Sequence, residues 1–186
     1  LKGEGHFVAV LVKAGTLNLM EEEKMPPRRK KNKAVLPKEK MAYFVEFLEN
    51  TLTDGFIKEI DTERLVEFGE QLYMLPEGCP DLSEIHLLRA GLHLGEFKKN
   101  RFEPSHSLAL TLSKEDVNNY INLPVDDDRV CPYFNGMGIA VDSADDYRGK
   151  KGWCLVCIDG YSAGWGKIAG AMIKNHYPKG LRKDLK

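Results

Sequence analysis

Cys154 and Cys157 lie in the run "WCLVCI" (153–158) with the Cys-x-x-Cys spacing of zinc knuckles and thiol redox centres. The run reads as a strand, where residues three apart point to opposite faces. Neither chemistry then follows, and both cysteines read as small apolar strand residues. His6, His86, His93, His106 and His176 show no compact metal-ligand spacing. Ser105-His106 follows Pro104 without the sharp strand-to-helix turn that presents a nucleophile. Phosphate loops need Gly, four residues, then Gly-Lys-Ser/Thr. Around Gly166-Lys167 the first position is Tyr161 and the last is Ile168. "GMGIAV" (136–141) has Val141 where a dinucleotide fingerprint has its third glycine. No catalytic residue, metal ligand or cofactor-binding residue is expected in these residues.

The terminal run "GWGKIAGAMIKNHYPKGLRK" (164–183) remains. It combines cations with the nearby aromatics Trp153, Tyr161, Trp165 and Tyr177. Lysine and arginine attract phosphates regardless of sequence, and aromatic faces stack unpaired bases. RNA with single-stranded or bent regions fits this pairing better than regular duplex DNA, and no DNA partner is expected. The candidate RNA-binding residues are Lys167, Lys174, Asn175, His176, Tyr177, Lys179, Arg182 and Lys183. Arg89, Lys98, Lys99 and Arg101 form a second group. Trp153, heading an apolar strand, reads as core. Trp165, between glycines, reads equally as core or as stacking surface. Tyr177-Pro178 could instead lock a turn.

These residues need strands to hold them. "GMGIAVD", "GWCLVCIDG", "YSAGWGKIAG" and "AMIKNHYP" are short β-type runs with turn signals between them, the pattern of a small barrel or sandwich. Upstream, Tyr43, Phe44, Phe47, Leu48 and Leu52 fall at helical spacing over 38–52. Asp61-Thr62-Glu63 predicts a helix over 61–70 with Leu65, Val66 and Phe68 inward. Pro76-Glu77-Gly78 predicts a turn, and Lys98–Arg101 a turn between two strands. "SKEDVNNYINL" (113–123) predicts a short helix capped by Ser113 with Asp116 in its first turn. "GHFVAVLVK" (5–13) reads as one strand cut from an upstream sheet, and 16–40 as a basic linker too polar to fold alone.

The net charge of −1 conceals blocks. Residues 24–40 hold eight Lys/Arg and the acid Glu39, 41–88 hold eleven acids, and 149–186 hold eight Lys/Arg. Two basic blocks around an acidic one suggest a basic face for an anionic partner. There is no run long enough for a membrane span and no signal peptide, so reduced thiols, a cytoplasmic location and no membrane partner are expected. Starting at Leu1, the chain reads as a fragment or processed product.

"LPEGCPDLSEIHLLRAGLHLGEFKKNRFEPSHSLAL" (75–110) and "GWCLVCIDGYSAGWGKIAGAMIKNHYPKGLR" (152–182) resemble the C-terminal half of the bacterial Sun/Nop-type RNA cytosine-C5 methyltransferases that act on small-subunit (16S) ribosomal RNA. "LKGEGHFVAVLVK" (1–13) is similar to the last strand of that family's catalytic domain. The resemblance implies an α+β chain: residues 1–15 as that last strand, 16–40 as linker, 41–107 as an intermediate α/β domain and 108–186 as a PUA-like β pseudo-barrel that binds RNA. It implies a separate N-terminal methyltransferase domain that binds S-adenosylmethionine, with ribosomal RNA or the small ribosomal subunit as partner. The family's Thr-Cys-Ser and Pro-Cys motifs are missing, since Cys131-Pro132 has the reverse order and Cys79 lies in Gly-Cys-Pro. No catalytic residue of the family carries over, and this fragment alone is not expected to methylate RNA. The alternative is a scaffold in which the acidic segment and barrel stabilise the catalytic domain with little RNA contact.

Overall fold

The computed structural model describes residues 36–79 and 89–183 of the chain. The expected strand at 5–13 and most of the expected linker lie outside the described residues. The linker's last residues, 36–40, are structured: Leu36 is buried and a helix starts at Lys38.

Helix α1 (Lys38–Thr51) forms as its spacing predicts. Phe44, Phe47, Leu48 and Leu52 are buried. Phe44 and Phe47 meet Phe102 with ring centroids 5.0 and 5.1 Å apart. A short turn, α2 (Asp54–Ile57), follows. The expected helix at 61–70 does not form. Asp61 accepts a hydrogen bond from the Glu63 amide at 2.9 Å and caps one 3-10 turn, Thr62–Arg64. Strand β1 (Leu65–Phe68) then pairs with β2 (Gln71–Met74), joined by a two-residue turn in which Gly69 takes φ +61. The helix-start signal holds over three residues, but the hairpin turn behind it decides the rest. Leu65 is buried while Phe68 is 41% exposed, against the inward position expected for it.

Strands β3 (Leu92–Lys98) and β4 (Arg101–Pro104) complete an antiparallel sheet in the order β1-β2-β3-β4, with the predicted turn at 99–100. Gly95 faces Pro104 across this pair. A Cβ there would lie 2.2 Å from the Glu103 carbonyl oxygen and 2.6 Å from the Phe102 ring. Gly95→Ala should therefore cost about 1–3 kcal/mol through overpacking, read as a lowered midpoint in urea with an unchanged m-value.

Helix α3 (His106–Ala109) is capped by Ser105, whose Oγ accepts from the Leu108 amide at 3.0 Å. The helix expected from Ser113 reduces to a turn. Ser113 does donate from N and Oγ to Asp116, at 2.8 and 2.7 Å. However, Val117 is fully buried and bridges Leu52, while Asn118 Nδ2 donates to the Leu52 carbonyl at 2.9 Å. These contacts pull the chain out into β5 (Tyr120–Leu123) instead.

The remaining elements are α4 (Val130–Phe134), β6 (Ile139–Ala140), β7 (Asp146–Arg148), β8 (Gly152–Ile158), β9 (Tyr161–Ala169), β10 (Met172–Asn175) and a terminal 3-10 turn (Lys179–Leu181). A six-stranded sheet runs β6-β10-β9-β8-β5-β7, antiparallel except for the β5–β8 pair. It curls into the PUA-like half-barrel, so the α+β class and β-rich C-terminal part expected from the sequence are observed. Asp159 and Gly160, with φ +48 and +84, make the β8–β9 hairpin turn, where a positive φ at both positions suits the strand twist.

Two buried clusters divide this sheet by face. Cys154, Val156 and Ile173 pack with Tyr133 and Ile139 on one side. Leu155, Cys157 and Trp165 face the other way and join Phe44, Phe47 and Leu108 in a core shared with the first sheet and α1. Cys154 and Cys157 thus point apart, as the strand reading requires. Burial pushes both thiols up to about 12.

Arg129 holds the rim of the half-barrel. Its guanidinium donates to Asp127 (2.6 Å), Asp145 (2.7 Å) and the Ala140 carbonyl (2.7 Å). Hydrogen bonding to Arg129 lowers the Asp127 carboxyl to about 2. Its folded-state pKa is below the unfolded value, so this pairing stabilises the chain above about pH 4 and is lost as the pH falls toward 2. Arg129→Ala should cost about 1–3 kcal/mol at pH 7. It should also flatten the stability profile between pH 4 and 2, measured by urea unfolding at each pH.

Candidate nucleic-acid interface

Strand register brings three residues into one row. Trp153 on β8 faces Lys167 on β9, and Lys167 faces Lys174 on β10. Two positions along, on the same face, lie Leu155, Trp165 and His176, whose amide donates to the Trp165 carbonyl at 3.1 Å. That second row is where α1 and α3 cover the sheet. The row of Trp153, Lys167 and Lys174 lies at the edge of this cover, with both lysines exposed and Trp153 half-buried.

The position of Trp153 is fixed from behind. Asn119, 7% exposed, donates to the carbonyls of Lys151 (3.1 Å) and Trp153 (2.9 Å) and accepts from the Lys150 amide (3.3 Å). The Lys167 ammonium lies over the Trp153 ring, 5.3 Å from its centroid. The His176 ring meets it edge-on at 4.6 Å. Burial against this neighbourhood, with Lys167 and Lys174 adding to it, holds the His176 imidazole below its ordinary pKa. Glu103 opposes the shift. His176 is therefore mainly neutral at pH 7.

Lys167 and Lys174 have no ion-pair partner among the described residues. Like charges directly opposite each other on a sheet destabilise it. Other cations of the fold have acidic partners: Lys40 pairs with Glu67 and Glu70, Lys114 with Asp146, and Arg129 with Asp127 and Asp145. An anion bridging the two lysines would relieve their repulsion.

The other candidates divide into three kinds. Asn175 and Arg182 are tied into the fold. Asn175 Nδ2 donates to the Tyr133 and Met137 carbonyls at 2.7 and 3.0 Å, and its Oδ1 accepts from the Tyr177 amide at 3.0 Å. Arg182 donates to Asn175 Oδ1 and the Tyr177 carbonyl, at 3.3 and 3.2 Å, in space left by Gly136, where a Cβ would come within 2.6 Å of the guanidinium. Tyr177 is half-buried among His106, Tyr133 and Phe134, with centroids 5.2, 5.6 and 5.2 Å away. Its packing matches the turn-locking reading. Lys179 and Lys183 are exposed on the terminal 3-10 turn and just beyond it.

In the second group, Lys98 pairs with Glu96 and Arg101 with Glu103, both at 2.7 Å. Lys99 is exposed in the turn between them, and Arg89 is exposed at the edge of the described residues. Lys98 and Arg101 are therefore neutralised by acids of their own strands, unlike Lys167 and Lys174.

The tryptophans correct the sequence reading. Trp165 is core, 2% exposed, with Nε1 donating to the Ser105 carbonyl at 2.8 Å. Trp153, expected in the core, packs against it and Trp165 but stays partly exposed at its edge. The signal lies in the pairing of β8 with β9, which sets Trp153 beside Lys167, but that register cannot be read from one strand alone. Among the described residues there is no group of three or more His, Cys, Asp or Glu arranged to hold a metal.

Residues 46–112 match the family described as RsmF rRNA methyltransferase first C-terminal domain, and residues 120–183 match the methyltransferase RsmF PUA domain. The chain belongs to the RsmF family. Proteins named ribosomal RNA small subunit methyltransferase F are similar to it across 97% of the chain: that of Vibrio campbellii (strain ATCC BAA-1116) is 28% identical over 186 residues, and that of Vibrio vulnificus (strain YJ016) is 26% identical over 183. This RsmF-family chain spans 37% and 36% of those two relatives' lengths. The first match takes in the four-stranded sheet and α3, and the second begins at β5 and ends at Lys183.

Proposed function

We propose that this chain is the RNA-docking region of an S-adenosylmethionine-dependent ribosomal RNA cytosine-C5 methyltransferase. It holds small-subunit RNA for a catalytic domain that binds the cofactor elsewhere in the protein. The partners are then ribosomal RNA or the small ribosomal subunit and the protein's own methyltransferase domain, in the cytoplasm. The division at about residue 108 serves this role, with the PUA-like part presenting the RNA surface and the intermediate part backing it.

One observation carries the reading: Lys167 and Lys174 face each other across β9 and β10 without an acid between them, beside the half-exposed Trp153. Such a cation pair suits a phosphate of an RNA backbone. The acidic surface supports the same polarity. Glu39, Glu46 and Glu49 are exposed on α1, a face that repels RNA and leaves the β9–β10 rim as the contact. Scaffolding is the second reading, favoured by the core that Trp165 shares with Phe47 across the two parts.

The test is binding of small-subunit ribosomal RNA fragments to the chain across a salt series. Log affinity should fall linearly with log salt, by roughly 0.7 per phosphate neutralised on single strands. Affinity that ignores salt, or no binding at low salt, would leave scaffolding as the better account.

A further inference from the structure

We propose that the row Trp153–Lys167–Lys174 receives one nucleotide of an unpaired strand, its base on the Trp153 ring in place of the Lys167 ammonium and its phosphate between Lys167 and Lys174. This rests on the RNA-docking reading above and narrows it to one kind of RNA and one point of contact.

Three features converge on it. The first is accessibility. Of the two tryptophans, Trp165 is enclosed between α1, α3 and the sheet, whereas Trp153 packs against the edge of that core and keeps part of its surface exposed. The second is the ring's current occupant. A cation over an indole face is a weak contact at an exposed site, and here the face is covered by the end of a flexible side chain. The Lys167 side chain is flexible enough to exchange that contact for a phosphate oxygen, and this leaves the face to a base. The third is spacing. Neighbouring strands stand about 4.8 Å apart, so the row spans about 10 Å from Trp153 to Lys174. A base and its phosphate therefore fit along the same three-strand row.

Asn119 makes this arrangement rigid before any ligand arrives. Its bonds to the backbone on either side of Gly152 hold Trp153 at the start of β8. A paired base cannot lie on the ring, because its faces are stacked within the duplex. The site therefore selects unpaired nucleotides without reading their sequence, as every base has a face to offer.

The chain should be titrated with a short unstructured RNA, the same length of abasic strand, and a fully paired RNA of equal charge, following tryptophan emission and affinity together. Base stacking makes the unpaired RNA about fivefold to a hundredfold tighter than the abasic strand. It also changes the emission of Trp153, and Trp153→Leu removes both differences. The abasic strand requires no substitution, so the comparison holds even if that variant folds poorly. Equal, salt-dependent binding of all three with unchanged emission overturns this proposal and leaves RNA docking standing. No salt-dependent binding of any of them overturns both.

Discussion

Trp165→Ala is expected to destabilise the chain by about 3–5 kcal/mol, a large fraction of the roughly 5–15 kcal/mol typical of a domain. Trp165 is 2% exposed and meets Phe47 at 6.5 Å and Trp153 at 6.1 Å. Its removal opens a cavity where α1, α3 and the six-stranded sheet meet, and it takes the indole hydrogen bond from the Ser105 carbonyl, which keeps only the longer bond from the Ala109 amide at 3.3 Å. Trp165→Phe keeps most of the volume but removes that hydrogen bond, so it should cost about 1–3 kcal/mol. Urea unfolding followed by far-UV circular dichroism reads both. Because the residue belongs to a core common to both sheets, Trp165→Ala should lower one shared transition. Two separate transitions, with only the later one shifted, would mean that the two parts fold independently.

The second large effect concerns RNA. Replacing Lys167 and Lys174 together by alanine should weaken binding of single-stranded ribosomal RNA by about tenfold or more, the equivalent of about 1.4 kcal/mol. The slope of log affinity against log salt should shrink by roughly 0.7 for each phosphate that is no longer neutralised. Stability should not fall with it. The two ammonium groups repel one another across the sheet, so the free double variant should match the parent or exceed it by a few tenths of a kcal/mol. Weaker binding with unchanged stability assigns the lysines to the ligand, whereas equal falls in both would assign them to the fold. Lys179→Ala with Lys183→Ala, at the exposed terminus, should cost less because both lie outside the row of Trp153, Lys167 and Lys174.

Much of this fold is legible from local chemistry. The spacing of Phe44, Phe47, Leu48 and Leu52 gives α1, and the turn residues around 99–100 and 159–160 give two hairpins. The local signals fail where tertiary pairing competes with them. Asp61 and Ser113 both make the side-chain bonds of a helix start, but Leu65 is claimed by a sheet and Val117 by a bridge to Leu52. The site is half legible. The terminal cations draw attention to β9 and β10, but the sequence does not separate the exposed Lys167 and Lys174 from Asn175 and Arg182, which bond inward. Nor does it tell which tryptophan is core. The glycine on either side of Trp165 leaves core and stacking surface equally open. In the structure, Gly166 lets Ile173 pack close, with a would-be Cβ only 2.2 Å from its Cγ2, and this closes the sheet around the indole's neighbours.

Where RNA lands is the central question. Backbone amide chemical shifts of the chain, followed by NMR while an unpaired small-subunit ribosomal RNA fragment is added, test it most directly. Shifts should concentrate at Trp153, Lys167, Lys174 and His176, with little change on the exposed face of α1. Shifts confined to residues 98–101 and 179–183, or spread along α1, would contradict docking at the β9–β10 rim.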